Sequence, residues 1–382
     1  MTKTLVLHIG DPKTGSSSIQ RALFDRYWDC PTVKMDYPPR LNAISLANAL
    51  RSDISENSRA KRFNALADWA DASTSDVLVV SAEQFSAVRP GLVQKVFAQY
   101  LPDLARTMRV VAYARPHASR LLSAYAQRTK VGGLYTDTLT FFDQLAGAGG
   151  LTYHPRFHRW RRTFGDRFTL RPMVRSQLTD NDVVADFITV ALQGAPFKLL
   201  ERSEANSSLT IEPLAGLRLV QSVLTRAELS EGAKHTLGAS VNQRVNAVAA
   251  GKGTRLQLNS RIYKKLLQRC HPDALNLDRD FFGAPLMETE LEKAAENTVK
   301  RRMDADAALY FRPQTLTRLV ALGEALAAML AAHPGEWDKD FQRKIGQKPH
   351  LWDDSLLSPA TKTHLSEVDT VVTEIVSLII PA

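Results

Sequence analysis

Cysteine is scarce in this chain: Cys30 and Cys270 are the two among 382 residues. Two thiols cannot build a disulfide framework or a cysteine-rich zinc site, so a reducing, cytoplasmic setting is the expectation. Long apolar runs are missing as well. The closing stretch 371–380 is apolar but far short of the roughly 20 residues that span a bilayer. The opening TLVLHIG runs straight into a glycine loop and reads as a strand rather than the core of a signal sequence. The sequence therefore predicts a soluble protein without stable membrane insertion, peripheral contact remaining open. No run of basic residues interleaved with aromatics occurs, which argues against nucleic acid as a partner. The 49 Lys plus Arg against 40 Asp plus Glu leave a net charge of +9, scattered along the chain. That surplus suits an anionic ligand and suits simple solubility equally well. H-E-x-x-H and D-x-D-x-D spacings are absent; His154 and His158 stand at i, i+4 without a convincing third ligand, so no metal is expected.

What is present alternates. Apolar, β-branched runs at 4–10, 76–83, 109–115 and 167–173, with a weaker one at 32–38, read as buried parallel strands. Helical spacing fills the intervals, notably 17–27, 41–72 and 120–128. Strand, loop and helix in alternation predict an α/β fold: a parallel sheet flanked by helices on both faces. Beyond residue 180 the strand patterns stop and helical ones follow at 182–192, 213–224, 261–269, 288–295 and 316–332. The C-terminal half is thus expected to be largely helical, with a division near 285 between an α/β domain (1–285) and a helical extension (286–382). The Gly- and Asn-bearing basic segment 242–260 reads as a loop over an anion, or as a plain solvated connection.

The chemistry begins at HIGDPKTGSSSIQ, residues 8–20. A Walker A loop is G-x-x-x-x-G-K-[ST]. Gly10 and Gly15 keep that spacing, but Ser16 stands in the lysine position and Lys13 lies inside the loop. A strand feeding a tight loop and then a helix aims backbone N–H groups and the positive helix end at one point, which binds phosphate or sulfate. Gly10 allows the sharp exit and Gly15 a close backbone approach. Ser16, Ser17 and Ser18 offer hydroxyls on the first turn and an N-cap. The plain alternative is a Gly-bearing turn ahead of a serine-capped helix.

Two further places matter. Arg115 ends the strand RVVAYAR and Ser123 follows eight residues later, two helical turns on and roughly on the same side. Such a pair can grip one phosphate, or be a helix-start arginine and a surface serine. Arg120 reads as a surface ion-pair residue, and His117 is given no role. Glu83, in SAEQFS, closes another strand and so stands in the crevice where open parallel sheets bind ligands; a helix cap or lysine partner is the alternative. The arginines 156, 159, 161 and 162 spread around a helix and read as a solvated face, while Trp160 and Phe164 read as core and Gly165 as a helix C-cap.

GDPKTGSSSIQ resembles the 5′-phosphosulfate loop of sulfotransferases that use 3′-phosphoadenosine 5′-phosphosulfate (PAPS), whose bacterial members commonly read P-K-T-G-[ST]-[ST]-[ST]-[IL]-Q. Arg115 and Ser123 resemble that family's R-x7-S 3′-phosphate motif, and SAE resembles its strand-end glutamate. The segments 153–178, NSSL (206–209) and 273–283 are also family-like. The resemblance implies a P-loop-like sheet. It implies PAPS as co-substrate and adenosine 3′,5′-bisphosphate as product, held by Lys13, Thr14, Gly15, Ser16, Ser17, Ser18, Arg115 and Ser123. Lys13 would stabilise the bridging oxygen and Glu83 would act as base toward a small-molecule or glycan hydroxyl. A kinase with an aberrant loop and a non-catalytic nucleotide binder are the alternatives. Lys130, Arg128, Lys252 and Arg255 are basic residues that could reach the acceptor or the nucleotide. The acceptor's identity and the oligomeric state are not written in the sequence.

Overall fold

The computed structural model describes residues 3–51, 53–133, 137–200, 209–344 and 357–380. Two compact units are each assembled from three separate stretches of chain. The first comprises Met1–Arg120, Gly150–Glu204 and Leu266–Lys293, and the second Leu121–Gly149, Ala205–Lys265 and Ala294–Ala382. The units are thus interleaved along the sequence rather than consecutive.

Seven strands are found among the described residues, all in the first unit: β1 (Thr4–His8), β2 (Trp28–Asp29), β3 (Met35–Asp36), β4 (Val77–Ser81), β5 (Arg109–Ala114), β6 (Phe168–Pro172) and β7 (Lys198–Leu199). Five form one parallel sheet in the order β3-β4-β1-β5-β6. Leu7 pairs with Val80 on one side and Val110 on the other, which makes β1 the centre of the sheet. Leu5, Val6, Leu7, Leu78, Val79 and Val80 are all completely buried. Consecutive residues point to opposite faces of a strand, so both faces are covered, as the unbroken apolar runs predict. On one face Ile19, Ala22 and Leu23 of helix Ser16–Asp25 pack with Val184, Phe187 and Ile188 of helix Val183–Ala191.

The structure corrects several local expectations. The helical stretch 41–72 is two helices, Ile44–Asn48 and Glu56–Ala72, because the Ser55 side chain caps the second by accepting from the Ser58 N–H at 3.3 Å. β7 lies beyond residue 180, where helices alone were expected, and pairs antiparallel with β2 over two residues; two residues are too few to carry a period. Much of 242–260 is helix, since Glu231–Ala249 continues through Val245, burying Val241, Val245 and Ala249 at four-residue intervals. NSSL falls mainly on 206–208, which lie outside the described residues.

The second unit is helical. Helices Ile211–Arg226, Glu231–Ala249, Pro313–Ala332 and Pro359–Ile379 share a core of Leu217, Val220, Leu237, Val241, Leu326 and Ile375, among others. Among the described residues one helix, Pro313–Ala332, is long and apolar enough to cross a membrane by length and composition. Leu319, Leu322, Leu326 and Leu330 on it are buried in that core, the pattern of a packed helix.

Candidate anion-binding site

The site is built at the carboxyl end of the central strands. Past His8 and Ile9 the chain turns at Gly10, whose φ of 22° lies in the left-handed region. A Cβ there would run into Ser16 Oγ and stand 3.5 Å from Glu83 Cγ, so only glycine fits between them. The loop then folds on itself. The Thr14 N–H and hydroxyl both donate to the Asp11 carbonyl, at 3.2 and 2.6 Å. Lys13, at the tip, has a φ of 70°, uncommon for a residue with a side chain. Gly15 follows with a φ of 81° and forms the N-cap of helix Ser16–Asp25.

The serines are therefore not the cap. Gly15 takes that place without a side-chain hydrogen bond, and Ser16, Ser17 and Ser18 are the first three helical residues. Ser16 is buried, Ser18 half-buried and Ser17 exposed. The N–H groups of this first turn have no upstream carbonyl in their own helix to bond. The positive end of the helix lies with them.

Three arginines hold the loop. The Arg115 Nη1 donates to the Lys13 carbonyl at 2.7 Å, and its Nε donates to Ser119 Oγ at 3.1 Å. The Arg120 Nη1 donates to the Pro12 carbonyl at 2.6 Å, while its Nε stands 3.7 Å from Asp11 Oδ2. Arg156 brings Nη2 to 2.7 Å from Asp11 Oδ1. Arg120 is buried, so its expected place on the surface is overturned, and Arg156 likewise leaves the solvated face on which Arg159 and Arg162 remain. The cause is Asp11. A carboxylate with no exposed surface must be neutralised, and it recruits two guanidinium groups. Burial pushes its pKa up while Arg156 and Arg120 pull it back.

Helix His154–Phe164, which carries Arg156, is itself anchored. Asp273 accepts the Tyr153 and His154 N–H groups at 2.9 Å, and His117 Nε2 lies 3.0 Å from the same carboxylate. Trp160 and Phe164 of that helix are buried and Gly165 closes it, as expected.

Glu83 follows β4 and opens a short 3-10 turn, Glu83–Ala87, whose Ser86 hydroxyl donates to the Glu83 carbonyl at 2.8 Å. Its carboxyl pKa is raised, chiefly by burial, with Lys13 acting against the rise and Asp11 reinforcing it; the Ser16 hydroxyl and Arg120 add further opposing pulls. Lys13 shows the converse. Burial lowers its pKa, Arg115 and Arg120 lower it further, and Glu83 opposes them. Under the loop, Ser81 Oγ lies 2.8 Å from His8 Nδ1 and accepts from Gln20 Nε2 at 3.1 Å, tying β1, β4 and helix Ser16–Asp25 together. Burial pushes the His8 pKa down to about 3, so that the imidazole is neutral.

Lys13, Thr14, Gly15, Ser16, Ser17, Ser18, Glu83 and Arg115 are thus brought to one end of the sheet in the first unit. Ser123 lies half-buried on helix His117–Lys130, on the part of that helix belonging to the second unit. Lys252 and Arg255 are exposed on a connection in the second unit that is fastened down. The Ile211 N–H donates to the Thr254 carbonyl, the Thr210 hydroxyl to the Lys252 carbonyl, and the Thr254 N–H to Glu212. Sequence reasoning missed Asp11 and Arg156. The signal was available, since an acidic residue inside an anion-binding loop requires a cation behind it.

Comparisons with protein-family models, with curated proteins and with solved structures find no match to this chain.

Proposed function

We propose that this chain transfers a sulfuryl group from PAPS to a hydroxyl of a carbohydrate or glycolipid. The observation that carries the reading is the Arg115–Lys13 contact, with Glu83 standing against the loop's exit glycine. One cradle then has a lysine for a bridging oxygen, backbone N–H groups for non-bridging oxygens, an arginine for a second phosphate and a carboxylate for a proton. The sheet order supports a P-loop-like assignment. From β1 the chain moves to the β3–β4 side, and from β5, its other neighbour, it moves outward to β6. The carboxyl ends of β1 and β5 therefore flank a topological switch point, where open parallel sheets bind ligands.

In the proposed step the acceptor oxygen attacks sulfur in line while the bond from sulfur to the bridging phosphate oxygen breaks. The Glu83 carboxylate takes the acceptor's proton, and adenosine 3′,5′-bisphosphate leaves with the electron pair on the oxygen facing Lys13. A raised pKa makes Glu83 a stronger base than an ordinary carboxylate. The loop backbone is held before reaction by the Thr14–Asp11 and Arg115–Lys13 hydrogen bonds, and removing one donor to the developing charge typically costs on the order of 10²–10³ in rate. The resemblance alone assigns Ser123 a role toward the 3′-phosphate. A cytoplasmic location belongs to the same proposal.

Calorimetry with adenosine 3′,5′-bisphosphate and with ATP tests the binding half; tighter binding of ATP overturns it in favour of a kinase. Transfer from labelled PAPS across a glycan and phenol panel tests the catalytic half. Tight bisphosphate binding without any labelled acceptor leaves a non-catalytic nucleotide binder.

A further inference from the structure

Away from the cradle, the two histidines that lacked a third partner in sequence acquire one in the first unit. His154 opens helix His154–Phe164 and His158 follows one turn later, on the same face. Their rings stack with centroids 5.5 Å apart and planes 30° apart. Asp280, 126 residues beyond His154, sits in the wide turn Asp278–Phe282 and brings Oδ2 to 2.6 Å from His154 Nε2. One donor atom from each of His154, His158 and Asp280 lies within 4.8 Å of the other two.

Both supporting segments are held. Asp273 fixes the Tyr153 and His154 amides, and Asp278 accepts the Met287 and Glu288 N–H groups at 2.9 Å each. Phe281 meets the His154 ring edge-on at 6.1 Å, and the Arg161 guanidinium covers Phe281 at 4.9 Å. The donors thus project from anchored backbone, with one apolar wall.

We propose that His154, His158 and Asp280 bind a borderline divalent cation of the zinc or nickel class through two imidazole nitrogens and one carboxylate oxygen. Donor chemistry favours borderline first-row ions, of which zinc and nickel are the redox-stable probes, since imidazole suits them, whereas calcium and magnesium require oxygen ligands. Donors around tetrahedral zinc stand about 3.3 Å apart, from bonds of about 2.0–2.1 Å. The His154–Asp280 pair at 2.6 Å must open and donors as far as 4.8 Å apart must close to reach that spacing. Three protein ligands leave a position for water or an exogenous group.

Arg279 competes. Its Nε donates to Asp280 Oδ1 at 2.6 Å and its Nη2 to Oδ2 at 3.0 Å, so both lone-pair sets of the ligand are engaged. With 67% of its side chain exposed it can swing into solvent when a cation arrives. Occupancy would clasp the helix that carries Arg156 to the turn carrying Asp280 and stabilise the fold by mass action.

The test uses the full chain, dialysed against a chelator and titrated with Zn²⁺ or Ni²⁺ alone in competition with a chromogenic chelator, with thermal unfolding followed in parallel. One equivalent should bind saturably and raise the Tm. His158→Ala and Asp280→Asn should weaken binding at least about tenfold and abolish the shift, whereas Arg279→Ala should tighten binding. His158 and Arg279 are exposed, so those variants fold. Absence of saturable binding overturns the proposal, as does binding indifferent to His158→Ala and Asp280→Asn. None of these readouts depends on sulfuryl transfer.

Discussion

The guanidinium of Arg115, one residue past β5, donates a 2.7 Å hydrogen bond to the carbonyl of Lys13 at the tip of the loop past β1. The bond turns the loop's tip toward the strand end and sets two cations side by side. Their mutual repulsion contributes to the depressed pKa of Lys13, after burial. On the proposed reading, an anion bound between them would relieve that repulsion.

Replacing Arg115 by alanine should weaken adenosine 3′,5′-bisphosphate binding by about 1.5–3 kcal/mol, the range for hydrogen bonds to charged groups, or roughly 10–100-fold. Adenosine 5′-phosphate, which lacks the 3′-phosphate, should lose much less. Calorimetry with both nucleotides makes the comparison; equal losses would remove Arg115 from the 3′-phosphate.

Lys13→Met separates charge stabilisation in the transition state from ground-state binding. The expected outcome is a fall in kcat on the order of 10²–10³ with a modest change in bisphosphate affinity. Single-turnover transfer from labelled PAPS supplies the rate. A variant that loses affinity and keeps its rate contradicts the assignment.

Glu83→Gln tests the base through pH. The carboxyl must be ionised to take a proton, so the wild-type rate rises with pH through the raised Glu83 pKa and then levels. The glutamine variant should be slower by about 10²–10⁴ and lose that limb. Stability gives an independent sign. Between the ordinary carboxylate range and the raised value the native state holds more protons than the unfolded chain, so stability declines as pH rises across that window. Urea unfolding at several pH values should show a shallower decline for Glu83→Gln.

Asp11→Asn leaves Arg120 and Arg156 facing a neutral amide. Breaking a buried ion pair from one side costs about 3–5 kcal/mol. A drop of that order should appear in the urea midpoint even without ligand. A shift below about 0.5 kcal/mol, typical of surface substitutions, would mean that the triad does not hold the loop.

How much was legible follows from range. β1, β4 and β5 were readable because runs rich in β-branched residues advertise a strand buried on both faces, β6 by its alternating apolar residues, and the G-x4-G spacing with Lys13 advertised the loop. The break at Ser55 and the helix running through Val245 were obscured by polar residues that read as helix or as loop until neighbours decide. Arg120 was misplaced on the surface because nothing near it in sequence shows that Asp11 lies buried behind Pro12. Asp280 was invisible as a partner of His154, since the intervening 126 residues carry no period that connects them.

The sequence by itself determined the alternation of strand and helix, the left-handed glycines of the loop and the identity of each charged group, because these depend on neighbours within a turn or two. Tertiary structure decided which charges meet: Arg115 with the Lys13 carbonyl, Arg120 and Arg156 with Asp11, His154 with Asp280. All three need the fold to bring together residues distant in sequence, and at Asp11 complete burial makes neutralisation by Arg120 and Arg156 obligatory.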